Sequence, residues 1–409
     1  MRQWGRSLFQ TYFTVDPRSL GLFRVLFGWV LFSDLVRRWV ELDFWYTNSG
    51  LLPNHTVLWR PPARSMFSLF FTASTTPEAQ FGFMLCACVY LLFIVGYKTR
   101  WLQVLALVAR VSLNSRLAPL ENGGDMVMDL LCLLTLPLPL GARFSLDALL
   151  ATSEPTVSER RDSGEPRAAA APANIAVASI AVLALLLQFG AIYLFNASSK
   201  VGAAWQDGSA VYYALHQDKL VTWLGVWMRE QLSISTLRAL TWSTLATEWL
   251  GFALILSPVF VRQARLLAVC LMPTLHLGFA LGLNVGSFSP AMISFYPLLL
   301  RPEHWQWLSR RHAARVRPLH DQLSRWALSW FDSQPAVPTQ ALAVNRWLGE
   351  GAILVVLLAI GIEVLNDNAP VPQALRIPRS RWATAIIEYP RILQGWRMFA
   401  SEPSRIDSM

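Results

Sequence analysis

Charge is scarce in this sequence. Asp, Glu, Lys and Arg make up 15% of its 409 residues and hydrophobic residues 54%, whereas about a quarter of an average soluble domain is charged. The chain therefore has too little polar surface for a soluble or intrinsically disordered protein. Its net charge of +9 is spread between apolar runs, which argues against nucleic-acid binding and is typical of the loop charges that orient membrane proteins.

Cysteine and lysine are scarce as well. Four cysteines in 409 residues exclude a disulfide scaffold, and all four lie in apolar stretches, where cysteine behaves as a small hydrophobic residue. Cys86 and Cys88 have no Cys or His neighbour with which to bind a metal, so we predict no metal site. Three of the 35 basic residues are lysines, so the chain generally uses arginine where it needs a permanent cation.

Long hydrophobic runs are plentiful. A membrane-spanning helix needs about 20 mostly apolar residues. Nine stretches reach or approach that length: 19–36, 79–97, 101–114, 125–141, 174–196, 241–260, 266–284, 287–300 and 350–366. The third, fourth and eighth are short or interrupted. The sequence thus predicts an all-α integral membrane protein, a polytopic bundle of about 8–9 transmembrane helices in a lipid bilayer.

Two short basic turns predict the orientation of this bundle. Lys98 and Arg100 lie in one turn, Arg262 and Arg265 in the other, and neither turn carries an acidic residue. Because short basic loops stay in the cytoplasm, we expect a cytoplasmic N-terminus and an external C-terminus.

The hydrophobic runs divide the chain into five segments. These are a four-span N-terminal half (1–150), a flexible cytoplasmic linker (151–173), the second half of the membrane domain (174–300), a basic amphipathic cytoplasmic segment (301–349), and the last span with a short external tail (350–409). The linker is predicted from its Ala, Pro and Ser content. The basic segment suits either a helix that lies on the membrane or a solvated surface helix.

The first span carries charges at membrane depth, where each needs a partner or a purpose. Arg24 and Asp34 are ten residues apart, too far for a direct pair on one helix. Arg37 and Arg38 follow Asp34 at the i+3 and i+4 positions, which favours a structural ion pair. Arg24 needs a carboxylate from another helix or an anionic ligand.

Three carboxylates recur every fourth residue at Glu121, Asp125 and Asp129, a spacing that would stack them on one helix face. Because like charges repel, at least one should hold a proton or meet Arg110 or Arg116 of the preceding helix. Asp125 follows two glycines, so a structural role in helix capping or ion pairing and a catalytic or ligand-binding role both remain open.

Lys200 follows the apolar run 175–197 and precedes Trp205. Burial can lower the pKa of a lysine enough to make it a base, whereas the alternative is a lysine that extends to the membrane interface. Later spans contain Glu248, His276 and Glu363. A lone helical histidine such as His276 is either a hydrogen-bonding core residue or a chemical group.

Several stretches together resemble one family, the HTTM proteins, which are bacterial membrane relatives of the vitamin K-dependent γ-glutamyl carboxylase. The resemblance rests on DPRSLGLFRVLFGWVLFSDLVRRW (16–39), FWYTNSGLLP (44–53), NSRLAPLENGGDMVMDLL (114–131), PLGARFSLDALL (139–150), the block with Lys200, Trp205 and Gly208, and LHLGFALGLNVGSFSPAMISFYPLLL (275–300). These blocks cover most of residues 16–300 in the expected order.

The resemblance implies a quinone-dependent oxygenase or carboxylase in the bacterial inner membrane. Lys200 matches the base that deprotonates the reduced vitamin so that oxygen can add to it; the strong base so formed takes a γ-proton from glutamate, and CO2 captures the carbanion. Implied cofactors are a reduced quinone, O2 and CO2, with an unknown peptide or protein acceptor. His276 is a second implied catalytic residue. The residues implied to bind substrate or cofactor are Arg24, Asn122, Asp125 and Trp205. One pocket is expected among the helices of Arg24, Asp125, Lys200 and His276.

Two departures from the family pattern bear on this implied activity. Where the carboxylase has a histidine, this chain has Gly123-Gly124-Asp125, with Asp125 as a candidate substitute. QGWRMFASEP (394–403) is similar to the motif that leads into an external β-rich domain, yet the sequence ends at Met409, so we do not expect processive modification of a Glu-rich peptide. The alternative function is a non-catalytic membrane protein that binds a lipid, a quinone or a partner peptide.

Overall fold

The computed structural model describes residues 2–59, 66–151, 176–311 and 339–400, together with the isolated positions 318, 322, 323 and 326. Within these ranges the chain is almost entirely α-helical. One two-stranded antiparallel sheet pairs β1 (Thr14–Val15) with β2 (Val177–Ala178), in the register Thr14 to Ala178 and Val15 to Val177. The predicted all-α class is confirmed.

The helices are numbered in chain order. They are α1 Arg2–Tyr12, α2 Pro17–Trp39, α3 Leu42–Tyr46, α4 Asn54–Leu58, α5 Thr76–Val95, α6 Thr99–Arg116, α7 Gly123–Leu134, α8 Leu146–Ala151, α9 Ile180–Ser198, α10 Ala203–Gln206, α11 Ala210–Leu215, α12 Trp223–Gln231, α13 Ile234–Leu256, α14 Val261–Gly282, α15 Phe288–Phe295, α16 (302–311), α17 Thr339–Asp367 and α18 Arg381–Glu388. Short 3₁₀ turns occupy Leu69–Thr72, Ala118–Leu120, Tyr296–Leu299 and Gln373–Leu375.

Six helices of the described chain are long and apolar enough to cross a membrane. They are α2, α5, α9, α13, α14 and the Trp347–Asp367 part of α17. The predicted spans that were short or interrupted correspond to α6, α7 and α15: α7 has 12 residues, α15 has 8, and α6 buries polar residues such as Arg110 and Asn114. A multi-pass helical membrane protein accounts for these helices.

Local sequence signals set the helix ends. Asp16 caps α2 by accepting a hydrogen bond from the backbone N–H of Arg18, and Pro17 occupies the first helical position, where its missing N–H costs nothing. Thr75 and Glu78 form a capping box at the start of α5. This helix stops at Gly96, whose φ of +78° is the left-handed conformation that glycine adopts without strain.

The short helices α7 and α15 lie in the centre of the bundle, where they pack against each other and against α2, α9 and α14. Phe189 of α9 stacks on Phe295 of α15 with a ring separation of 3.6 Å, and Met128 of α7 is fully buried. Because most of their residues are buried, these short helices can end inside the bundle without exposing backbone groups to lipid.

Two predicted segments fall largely outside the described residues. The linker 151–173 is described at Ala151 alone, and the basic segment 301–349 is described chiefly at α16 and from residue 339 onward. In α16, Trp305 is buried and its indole N–H donates to Ser19 Oγ at 2.8 Å. This end of the segment therefore packs on α2.

Candidate functional site

Helices α13 and α14 enclose a cavity of about 520 Å³. A turn over residues 257–260 joins the two helices, and they are in close contact about midway along α14: a Cβ added to Gly251 would lie 2.5 Å from Met272 Cε. Farther from the turn the helices line the two sides of the cavity, from Leu240 to Glu248 on α13 and from Leu271 to Gly282 on α14. The pair therefore forms a V whose open end holds the cavity.

Short helices close the open end of this V. The backbone N–H of Val211 in α11 donates to Thr241 Oγ1 of α13 at 3.0 Å, and the N–H of Thr222, which caps α12, donates to the Gly282 carbonyl of α14 at 3.1 Å. Gly225 lies so close to that carbonyl that a Cβ would collide with it. Helices α11 and α12 are thus fixed to opposite arms of the V as its roof.

Lys200 lies at the polar end of the cavity. It follows the last residue of α9 by two positions, is 5% exposed, and its Nζ donates to both carboxylate oxygens of Glu248 on α13. Asn196 Nδ2 donates to Glu248 Oε1 at 2.8 Å, and the Trp205 ring lies 4.7 Å from Nζ. All four residues line the cavity, so an ion pair, an amide and an indole ring converge at this end of it.

Burial lowers the pKa of Lys200 from its ordinary value, and the Glu248 carboxylate offsets part of this effect. The cause is desolvation, which penalises the charged ammonium. A proton that moves from Nζ to Glu248 turns the ion pair into a neutral pair without changing the charge of the cavity. The arrangement can therefore accept a proton from an acidic O–H group or bind an anionic head group.

His276 lies behind the cavity wall rather than in it. Its Nε2 is 2.6 Å from the hydroxyl of Tyr193, which also hydrogen-bonds with the hydroxyl of Tyr296. The imidazole packs against Phe279 and Phe288, and these two rings face the cavity. His276 Nδ1 is buried without a hydrogen-bond partner in the described chain.

Arg24 lies at the other end of the bundle. Its guanidinium is fully buried against Gly96 and donates to the Phe144 carbonyl, at the α5–α6 turn and far along α2 from Asp34. Ten residues of helix separate the two side chains by about 15 Å. The structure therefore does not bring Arg24 to the cavity. Its guanidinium is held at the α5–α6 turn, where it donates to the Phe144 carbonyl.

Asn122 and Asp125 also lie outside the cavity. Asn122 caps α7 by accepting from the N–H of Gly124 at 2.9 Å, and Asp125 Oδ2 accepts from Asn122 Nδ2 at 2.8 Å. Asp125 Oδ1 binds Arg38 and Arg110, each at 2.6 Å. Of the four residues expected to share one pocket, Lys200 alone lines this cavity; Trp205 lines it with Lys200.

A charge network of Asp34, Arg38, Arg110, Asp125 and Asp129 joins α2, α6 and α7. Asp34 contacts Arg38 at 2.7 Å and Arg110 at 3.3 Å, and Arg110 also lies 3.1 Å from Asp129. All five side chains are buried. Three carboxylates and two arginines meet within a few ångströms, and Asp125 is both an ion-pair residue and a member of the α7 capping box.

The other two predicted members of this region have different partners. Glu121 precedes α7 instead of stacking on it, and it binds Arg391 from the C-terminal part of the chain. Arg116 donates to the Leu52 carbonyl in the 44–53 block. The spacing of four residues predicted that Glu121 would share a helix face with Asp125 and Asp129. It does not, because α7 begins only at Gly123.

The residues after α18 complete the cavity wall. Met398 and Phe399 line it, and the Trp205 indole N–H donates to the Phe399 carbonyl at 2.9 Å. Gln394 anchors this segment, since its Oε1 accepts from Gln188 Nε2 at 2.8 Å and from Trp396 Nε1 at 2.9 Å. The motif in residues 394–403 identified this segment in the sequence. Its packing against α9 was not predicted.

The described residues contain no group of three or more His, Cys, Asp or Glu that could hold a metal. Fold and cavity together define a class, the multi-pass helical membrane proteins with an internal ligand-sized cavity. Comparison of the chain with family models, curated proteins and solved structures finds no match.

Proposed function

We propose that this chain is a membrane protein of HTTM type that binds a reduced quinone in the α13–α14 cavity and uses Lys200 as a base. One observation carries the proposal: the buried Lys200 and its partner Glu248 form the polar end of an otherwise largely apolar cavity. The resemblance of the Lys200 block to the carboxylase supplies the chemistry.

The residues fit such a ligand. Ligand sites have volumes of about 300–1,000 Å³, apolar walls and a few well-placed polar groups. Here Leu275, Phe279 and Phe288 supply apolar surface for a ring system, while Lys200 and Asn196 stand at one end. A hydroxyl of the ring placed at that end would lie beside Nζ.

The chain's own residues would move one proton. Lys200 Nζ takes it from the bound hydroxyl, and Glu248 stabilises the ammonium that results because both of its oxygens face Nζ. Asn196 fixes the carboxylate. The reduced quinone, when bound, supplies the reaction with O2 that generates a base strong enough to remove a proton from carbon. Carboxylation would further need CO2 and an acceptor glutamate.

We also propose eight or nine spans in the bacterial inner membrane, with the N-terminus cytoplasmic and the C-terminus external. Contacts of the two basic turns with α1 and with the first half of α2 support this orientation. Arg265, beside the α13–α14 turn, donates to the Thr11 carbonyl at 2.9 Å, and Gly96 of the α5–α6 turn packs on Arg24. Both turns thus lie near the same end of the bundle, and the proposed orientation directs the Lys200 cavity toward the opposite, external side.

A second candidate function is ligand binding without catalysis. The observation that favours it is the bidentate contact between Lys200 and Glu248, which also suits a permanent ammonium that recognises an acidic or hydroxyl head group. In that case a cation at position 200 suffices, whereas a base requires the neutral amine.

The test is epoxide formation from reduced menaquinone or vitamin K under air, with the protein in nanodiscs and mass spectrometry as the readout. We expect Lys200→Ala to lower the rate at least about 100-fold, as for loss of a general base. Lys219→Ala is the matched control, since Lys219 is an exposed lysine. Lys200→Arg keeps the charge but cannot be deprotonated, so it should also be inactive.

The pH profile gives a second readout. Only the neutral amine accepts a proton, so the rate should rise with pH, and the midpoint should lie below the ordinary lysine value of 10.5 because burial lowers the pKa of Lys200. Quinone that binds without epoxide formation, and equally well to Lys200→Arg, would establish the binding function. Absence of both binding and epoxide would refute the quinone proposal.

A further inference from the structure

We infer that the cavity opens sideways into the bilayer between α13 and α14, and that the apolar chain of a membrane lipid enters through this gap. The inference deepens the proposed function, on which its choice of ligand rests, by naming the ligand class and its route. The ligand is an amphipathic bilayer lipid with a hydroxyl or acidic head and a long apolar chain.

Three cavity-lining residues of α13 and α14 are exposed. They are Ser243 on α13 and Thr274 and Gly278 on α14. Ser243 is nine residues from the start of α13, and Thr274 is eight residues from the end of α14, which places them about 12–14 Å along the helices from their roofed ends. The gap is therefore at membrane depth if both helices span the bilayer.

The sequence explains why the helices leave a gap at this position. Pro273 lies inside α14, immediately after the Gly251–Met272 contact, and proline removes one helical hydrogen bond and bends or breaks the ladder there. The exposed cavity-lining residues of the two helices are small: Ser243 on α13, and Thr274 and Gly278 on α14. A Cβ added to Gly278 would meet nothing within 4 Å.

The outer surface beside the gap is suited to lipid. Large apolar side chains are exposed on both helices: Trp242, Trp249, Leu277 and Leu281. Because α13 and α14 are candidate spans with less than a third of their apolar windows buried, this exposed surface faces hydrocarbon. A ligand that arrives through the gap comes from the bilayer, with its polar head directed to Lys200 and Glu248 and its chain left between the helices.

Photolabelling in nanodiscs tests the gap without any quinone. A small aryl diazirine that partitions into the bilayer should label Leu275 and Leu283 on the cavity wall as well as the exposed Leu266. Gly278→Trp should lower labelling of the two wall residues at least several-fold and leave Leu266 unchanged. Gly361→Trp is the matched control, because Gly361 is an exposed glycine of a candidate span with open space around its Cα.

Ser243→Trp, from the facing helix, is a second plug in case Gly278→Trp does not fold. Wall residues that stay unlabelled in the wild type, or labelling that neither plug reduces, would overturn the lateral opening and favour entry from water past Tyr213 of α11. If the plugged variants lose labelling but the wild type forms no epoxide, the lateral opening is supported and the quinone chemistry is refuted. The two proposals can therefore fail separately.

Discussion

Two sets of buried charges in the described chain, the charge network and the Lys200–Glu248 pair, differ in their surroundings. In the charge network, Arg110 contacts three carboxylates, Asp34, Asp125 and Asp129, within 3.3 Å, and helices pack around it. At the cavity, Lys200 has one carboxylate partner, Glu248, and both face open space. Buried charge alone therefore does not mark a functional site; the difference is whether the charged group has room for a second partner.

The energetic consequences of the two arrangements differ as well. In a closed network every removed charge leaves an opposite charge without solvent or partner, and that loss is large. Beside a cavity the remaining group can take up a proton or contact what enters. Three substitutions sharpen this comparison, in order of decreasing effect.

Arg110→Met should have the largest effect on stability, a loss of about 3–5 kcal/mol, because three buried carboxylates lose their shared cation. The measurement is the free energy of unfolding in detergent, followed by tryptophan fluorescence during a denaturing-detergent titration. A loss below about 1 kcal/mol would show that the network is not structural and would remove the contrast with the cavity.

Lys200→Met should cost less, about 1–3 kcal/mol, in line with loss of one hydrogen-bonded partner of a buried group. Asn196 still donates to Glu248, and Glu248 faces the cavity. The double variant Lys200→Met/Glu248→Gln should recover part of this loss without recovering ligand binding. If Lys200→Met destabilises the fold as much as Arg110→Met, the cavity pair belongs with the structural charges.

Arg37→Met should have the smallest effect, at most about 1 kcal/mol. Arg37 contacts Asp34 at 2.7 Å, as Arg38 does, but its side chain is 51% exposed. Solvent therefore already screens the pair, and Asp34 keeps its two buried arginines. The same unfolding titration measures it, and an effect equal to that of Arg110→Met would show that exposure does not govern these pairs.

Spacing along one helix was enough to predict the local contacts. The i+3 and i+4 positions placed Arg37 and Arg38 on Asp34. Repulsion among the carboxylates of 121–129 called for a bound proton or a contact with Arg110 or Arg116, and Arg110 makes that contact. The long apolar runs predicted the helices in the same way, because hydrophobicity over about 20 residues is itself the physical requirement.

Contacts between distant helices were beyond such reasoning. Glu248 is 48 residues from Lys200 and pairs with it only because α13 packs along α9. Arg24 was expected to bind a ligand, yet it donates to a backbone carbonyl. Every residue has a backbone carbonyl, so the sequence does not indicate which one an arginine will contact. The family resemblance indicated both Lys200 and His276. It did not show that Phe279 and Phe288 lie between His276 and the cavity, because this arrangement depends on how the helices pack.

The anchoring of Gln394 has a consequence for how the protein is made. Its hydrogen bond to Gln188 joins residues 206 positions apart, and the bond from Trp205 to Phe399 joins residues 194 positions apart. During synthesis the N-terminal part of a chain is available to fold first, so α9, α13 and α14 enter the membrane before residues 394–399 exist. The nascent bundle therefore has one side of its cavity uncovered, and translation of this late segment is the step that completes the cavity wall.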